Sequence, residues 1–197
     1  MLRRLLPPLA LAALGLLFFA DLVRHPAEVL YSDYSDVLAQ HIPNKRFLVR
    51  SFQETGELPL WCPSRFGGEP FVTDIQVALF YPPHWPLLLM PEAWVGVALG
   101  WLIVAHVILA GLCMYAYARD QGLGTAGSLV AACGFMFAGK WLLHLLGGGH
   151  YVTIGLAWVP LVLLLLERAV RRGSLRYATA AGAAYGLVVL GTQPQWT

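Results

Sequence analysis

Two aspartates, Asp33 and Asp36, stand three residues apart in the early part of the chain. On a helix, positions i and i+3 share a face, so these carboxylates can lie close together. Close carboxylates can separate their pKa values and leave one as a general base, or they can bind a divalent cation together. Ser32 and Ser35 beside them also suit a helix N-terminus, where the aspartates would only cap or solvate the chain. The spacing leaves both interpretations open.

Basic side chains follow the aspartates and offer the chemistry of anion binding. Lys45, Arg46 and Arg65 are suited to contacting a phosphate, although such side chains also reach toward lipid headgroups. His150 is a further candidate for the anion. The sequence contains no phosphate-binding P-loop, no HExxH motif and no CxxC pair. We therefore predict no metal ligands, while a divalent cation at the aspartates stays open.

The rest of the chain, which must position these side chains, is mostly apolar. Of its 197 residues, 58% are hydrophobic and 12% are charged, whereas soluble domains have about 25% charged residues. This composition predicts an integral membrane protein. The net charge of +2 is too small to indicate a nucleic-acid partner. Three cysteines, an odd number, define no disulfide framework.

Five apolar stretches approach the length of about 20 residues that a helix needs to cross a bilayer. Residues 1–23 are predicted to form a retained transmembrane helix rather than a cleaved signal peptide, because Phe18 to Asp21 makes a poor cleavage site. Four further spans are predicted at 93–118, 125–146, 151–166 and 177–190. The expected fold class is an all-α polytopic membrane protein.

The distribution of arginines predicts how these spans are oriented. Arg3 and Arg4 place the N-terminus in the cytoplasm, because short cytoplasmic segments are enriched in basic residues. Alternating from there puts Arg119 and the arginine-rich stretch 167–176 inside and residues 24–92 outside. We call residues 24–92 the first loop. The protein is thus predicted to lie in the plasma membrane with its candidate active site on the extracytoplasmic side.

The first loop is expected to contain short helices at the membrane interface. Apolar residues recur over 33–54 in an imperfect amphipathic pattern, which favours interfacial helices. Gly56 is predicted to end this helical stretch, and the Pro- and Gly-rich segment 58–70 is predicted to be irregular.

The last predicted span contains Gly182 and Gly186, small residues that let helices approach closely. A Gly- and Ala-rich span of this kind is typical of a helix buried among others. We therefore expect the five spans to be the N-terminal part of a larger bundle, and the chain to be incomplete.

Several motifs in and after the first loop follow one another in a fixed order. They are Ser35-Asp36 with Gln40 and Pro43, Gly56 to Pro63, Phe66 to Phe71, Gln76 with Phe80-Tyr81-Pro82, Gly149-His150, Trp158 with Pro160, and Gln193-Pro194-Gln195. In these motifs the chain resembles the YfhO-like family of bacterial membrane proteins. Cys62 and the pair Thr192-Gln193 depart from the residues that are usual in that family.

The resemblance implies a GT-C type glycosyltransferase that takes a sugar from a polyprenyl-phosphate donor and transfers it to a cell-envelope glycan or protein. It implies that Asp36 is the catalytic base, with Asp33 as the second candidate. Contacts to the substrate or its phosphate would come from Gln40, Lys45, Arg46, Arg65 and His150. A non-catalytic membrane scaffold, a transporter fragment and an inactive truncated enzyme remain the alternatives.

Overall fold

The computed structural model describes residues 2–147 and 151–192, and these residues are mostly helical with almost no sheet. The predicted all-α fold class is confirmed at this level. The α-helices are α1 Leu2–Phe18, α2 Ala20–Arg24, α3 Ile42–Thr55, α4 Val95–Asp120, α5 Thr125–Met136, α6 Gly139–Gly147, α7 Tyr151–Leu156, α8 Val159–Arg172 and α9 Leu175–Gly191.

Two helical stretches are long and apolar enough to cross a membrane, Glu92–Asp120 and Val152–Arg172. They correspond to the predicted second and fourth spans. Leu5–Phe18 and Thr125–Met136 are apolar but shorter. The membrane character of the chain is therefore supported by two helices, while the count of five spans and their orientation stay predictions.

Two of the predicted spans are each divided into two helices. The third span is divided at Phe137 and Ala138, between α5 and α6, just before Gly139, a residue that weakens a helix. The fourth is divided at Ala157 and Trp158, between α7 and α8. Pro160, at the second position of α8, has no N–H to donate to the preceding turn, so the helical hydrogen bonds of the stretch 152–172 are interrupted there.

Helix α4 is the element around which the others pack. It contacts α1, α5, α7 and α8 along its length. One apolar cluster joins Phe19 and Leu22 to Val104, Val107 and Met136. This cluster fixes the first helical segment and α5 on α4, and so sets the position from which the first loop starts.

Helix α3 is amphipathic, as the pattern of the first loop predicts. Its buried side includes Ile42, Leu48 and Val49, and burying each such side chain stabilises the fold by about 1.5–3 kcal/mol. Ile42 and Val49 pack against Val95 at the start of α4. The helix ends where predicted, since Gly56 has a φ of 74°, a left-handed conformation that favours glycine.

The segment 58–70, predicted to be irregular, contains a short antiparallel ribbon. Its strands are β1, Trp61–Cys62, and β2, Glu69–Pro70, with Cys62 opposite Glu69. Gly67 and Gly68 both have positive φ and allow the chain to turn between the strands. Short 3-10 turns then lead to α4 over Phe71–Thr73, Ile75–Val77, Pro82–Leu89 and Glu92–Trp94.

The far ends of α4 and α8 are joined by charged and polar side chains. Asp120 accepts hydrogen bonds from Arg168, whose Nη2 lies 2.7 Å from Oδ1, and from Arg171. Glu167 accepts from the hydroxyl of Tyr117 over 2.9 Å and from Gln121. Asp120 is therefore neutralised by two arginines, whereas Glu167 is hydrogen-bonded by two neutral donors.

Candidate functional site

Asp36 lies at the start of a π-helical turn, Val37–His41, that leads directly into α3. Its carboxylate is exposed and makes no capping hydrogen bond to this turn. Asp33 is exposed as well, and within the described residues neither aspartate forms an ion pair. The interpretation of Asp36 as a cap thus finds no supporting hydrogen bond, and both carboxylates face the surface.

Serines hold the chain just before Asp36. The hydroxyl of Ser35 donates to the carbonyl oxygen of Ser32 over 2.8 Å, and the N–H of Ser32 donates back to Ser35 Oγ over 3.2 Å. Ser32 Oγ also donates to the carbonyl oxygen of Leu146, near the end of α6, over 2.9 Å. These bonds fix the segment that carries both aspartates against α6.

An apolar cavity of about 130 Å³ lies beside this segment. Its walls come from the end of α1, the first loop, α4 and α6, through Phe18, Phe19, Leu30, Tyr31, Val37, Ile103, Leu142, Leu145 and Leu146. Val37 directly follows Asp36. A second and more open groove of about 530 Å³ shares four of these residues and is also lined by Asp21, Glu28 and Asp33. The two spaces therefore place apolar walls next to exposed carboxylates.

Lys45, expected to contact a phosphate, points into the protein. It is 2% exposed, and its Nζ donates to the carbonyl oxygen of Val77. Burial lowers the pKa of Lys45 to about 7, and the nearby carboxylate of Asp74 opposes this shift. A phosphate at the surface of the first loop is out of reach of Lys45 in this conformation.

His41, one turn before Lys45, is buried beside Asp36. Burial lowers the pKa of His41 to about 4, against the opposing effect of the Asp36 carboxylate, and Lys45 lowers it further. The imidazole is therefore neutral at pH 7. Asp36 is thus close enough to act on His41 electrostatically, but the histidine does not neutralise it.

Arg65, also expected to contact a phosphate, is half-buried and held by side chains of the first loop. Its Nε lies 3.0 Å from Glu69 Oε1, and its Nη1 lies 3.3 Å from Asp74 Oδ2. The same Nη1 donates to Asn44 Oδ1 over 3.0 Å. We call this set the arginine clamp, because it ties the β1–β2 ribbon to α3. A phosphate would have to displace two carboxylates to reach Arg65.

The remaining predicted contacts divide between the surface, the interior and the part of the chain outside the described residues. Arg46 is exposed on α3. Gln40 is half-buried, and its Nε2 donates to Gln76 Oε1 over 2.5 Å. His150 lies outside the described residues. Three basic residues of the first loop were predicted to contact a phosphate. Of these, Arg46 is the one that a phosphate could reach without displacing a carboxylate.

Tyr81 is a residue of the site region that is not among the candidate residues predicted from the sequence. It is fully buried, and its hydroxyl lies 2.6 Å from His106 Nε2 and 2.7 Å from Trp158 Nε1. Burial raises the pKa of Tyr81 above its ordinary range. The signal for this contact in the sequence is His106, a titratable side chain within the apolar span predicted at 93–118.

The paired aspartates do not belong to a metal site formed by the described residues. In residues 2–147 and 151–192, no group of three or more His, Cys, Asp or Glu side chains is arranged to hold a metal ion. The divalent cation that the spacing left open gains no support from this part of the chain.

Compared with known proteins, the chain matches no family model, no curated protein and no solved structure. The resemblance to the YfhO-like family therefore depends on the motifs in the sequence alone.

Proposed function

We propose that this protein is a membrane-embedded glycosyltransferase of the GT-C type, which transfers a sugar from a polyprenyl-phosphate donor to a cell-envelope acceptor on the extracytoplasmic face. The observation that carries the proposal is the apolar cavity beside the aspartate-bearing segment of the first loop. Asp36 is the proposed base, and Asp33 is the second candidate.

A carboxylate at this position supplies the general base that sugar transfer requires. The hydroxyl of an acceptor is a weak nucleophile until a base takes its proton. In the proposed step, the acceptor oxygen forms a bond to the anomeric carbon, Asp36 takes the proton, and the bond from that carbon to the phosphate oxygen breaks. Because Asp36 is exposed and forms no ion pair within the described residues, its carboxylate is available for the proton.

The cavity supplies the apolar surface that a lipid-linked donor needs for binding. A polyprenyl chain is apolar and travels within the bilayer, so its binding site requires apolar walls that open close to the reacting groups. The walls of the cavity come from α1, α4 and α6 as well as from the first loop, and Asp33 lines the adjoining groove. Arg46, exposed on α3, is the proposed cation for the departing phosphate.

The proposal is tested by sugar transfer in vitro, with the purified protein in lipid nanodiscs and a panel of polyprenyl-phosphate sugars. Asp36→Asn is expected to reduce transfer by at least about 100-fold, because removal of a general base typically costs 10²–10⁴-fold. Glu57→Gln, which alters an exposed carboxylate elsewhere in the first loop, is the matched control and is expected to retain activity. Equal transfer by the Asp36→Asn variant and the control would refute Asp36 as the base.

One observation favours a transporter as the second candidate. The predicted third and fourth spans are divided. Met136, directly before the first division, and Ala157, within the second, line one small cavity of about 10 Å³ against α4. Divided helices of this kind build the substrate sites of many transporters. Saturable binding of the polyprenyl-phosphate sugar without any turnover would favour this candidate over the glycosyltransferase.

A further inference from the structure

The hydrogen bonds around Tyr81 can run in only one direction. His106 Nδ1 lies 2.6 Å from the carbonyl oxygen of Leu102, which can only accept, so Nδ1 must carry a proton. In the neutral imidazole, Nε2 is then an acceptor, and the Tyr81 hydroxyl donates to it. The indole Nε1–H of Trp158 can only donate, so it donates to the Tyr81 oxygen. The donors therefore run from Trp158 to Tyr81 to His106 to Leu102.

This chain of bonds connects three parts of the molecule. Tyr81 belongs to the first loop, His106 lies near the middle of α4, and Trp158 fills the division between α7 and α8. The first loop therefore reaches into the helix bundle at Tyr81. The end of α9 also closes on this ring, because a Cβ added to Gly191 would lie 3.0 Å from Tyr81 Cε2.

Two further hydrogen bonds connect the segment before Tyr81 to the segment after Asp36. Lys45 Nζ donates to the carbonyl oxygen of Val77, and Gln40 donates to the side chain of Gln76 over 2.5 Å. Gln40 belongs to the π-helical turn that begins directly after Asp36. A displacement of residues 76–81 would therefore be transmitted to the turn that carries Asp36.

The geometry points to Tyr81 as a positioning residue: its hydroxyl, held between Trp158 and His106, anchors residues 76–81 in the bundle and through Gln40 and Lys45 fixes the place of Asp36. This role rests on the proposed function only where it concerns the rate of sugar transfer. The anchoring itself can be measured in the absence of any substrate.

The test is Tyr81→Phe, which removes the hydroxyl and keeps the ring, with Tyr34→Phe as the control. Tyr34 is an exposed tyrosine of the same loop, 87% accessible. Hydrogen exchange of the protein in nanodiscs is expected to rise at least about tenfold in residues 37–41 and 76–81 of the Tyr81→Phe variant. Labelled His106 is expected to keep its Nδ1–H tautomer, which the Leu102 carbonyl holds, while the ¹⁵N signal of Nε2 shifts to that of an acceptor that has lost its hydrogen bond from Tyr81. Trp158→Phe and Gly191→Ala should raise exchange in the same residues.

The transfer assay separates this role from a general loss of structure. Tyr81→Phe is expected to lower kcat by about 10- to 100-fold, because displacement of a reacting group by about 1 Å has that effect, while the KM for the donor changes less than about threefold. Unchanged exchange in residues 37–41 and 76–81 would overturn the inference, as would increased exchange with unchanged kcat in an active protein. If the unmodified protein transfers no sugar, increased exchange still supports the anchor and the proposed function fails alone.

Discussion

The ammonium group of Lys45 donates a hydrogen bond to the backbone carbonyl of Val77, 32 residues further along the chain. The side chain crosses from α3 to the 3-10 turn Ile75–Val77 and is almost completely buried. Burying an ammonium group in this way is costly, and its pKa falls to about 7 as a result. Lys45 therefore makes the stability of the first loop depend on pH.

The free energy of unfolding is expected to rise with pH between about 7 and 10.5. In that interval the folded protein binds fewer protons at Lys45 than the unfolded chain, whose lysine has the ordinary pKa near 10.5. The full effect corresponds to about 5 kcal/mol. Thermal unfolding measured at several pH values should show this rise. Lys45→Met should remove the rise, whereas Arg46→Met, a control on the exposed side of α3, should retain it. Equal slopes in the two variants would contradict the assignment.

The arginine clamp is expected to stabilise the first loop in the absence of any substrate. Arg65→Gln removes the cation from between Glu69 and Asp74 and leaves two carboxylates close together. Because Arg65 is 30% exposed, a cost of about 1–2 kcal/mol is expected. Limited proteolysis should then cut within residues 56–74 several-fold faster than in the unmodified protein.

Arg46→Gln is the control for the clamp, because Arg46 is an exposed arginine that does not belong to the clamp. It should leave the rate of proteolysis unchanged. If Arg65→Gln altered only the affinity for a phosphate-bearing ligand and not the rate of cleavage, Arg65 would be a ligand contact rather than part of the clamp.

Lys45 and Arg65 show which features of the site can be predicted from residue types alone. The sequence indicated that both are cations in a segment rich in acids, and it predicted the amphipathic helix and its end at Gly56. It could not indicate that Lys45 faces inward, because its partner Val77 lies 32 residues further along the chain. The contact of Arg65 with Asp74 was equally unreadable, because it depends on how the ribbon and the turns between these two residues fold. The chemistry of a side chain is readable from its type, whereas its partner is set by tertiary structure.

The helix divisions give a second example. Apolar stretches 125–146 and 151–166 are uniform enough to predict continuous spans. Pro160 carries a local signal for the second division, because proline suits the first turn of a helix. The first division lies before Gly139, and glycine alone is a weak signal inside an apolar sequence.

The orientation of the chain can be tested with single cysteines in living cells. With Cys62, Cys113 and Cys133 replaced by serine, Glu57→Cys in the first loop is expected to react with a membrane-impermeant maleimide. Arg172→Cys, exposed at the end of α8, is expected to react only after the membrane is permeabilised. Labelling of intact cells at Arg172→Cys but not at Glu57→Cys would reverse the orientation and remove the extracytoplasmic active site with it.

The pairing of Asp120 with Arg168 and Arg171 has a consequence for how the chain enters the bilayer. In the proposed orientation, these guanidinium groups would be unpaired during insertion, before α8 reaches α4, and would retain their segment on the cytoplasmic side. Once the two helices meet, the same groups close onto Asp120 and join the helices to each other. The same arginines would thus serve first as a topogenic signal and then as an ion pair of the mature fold.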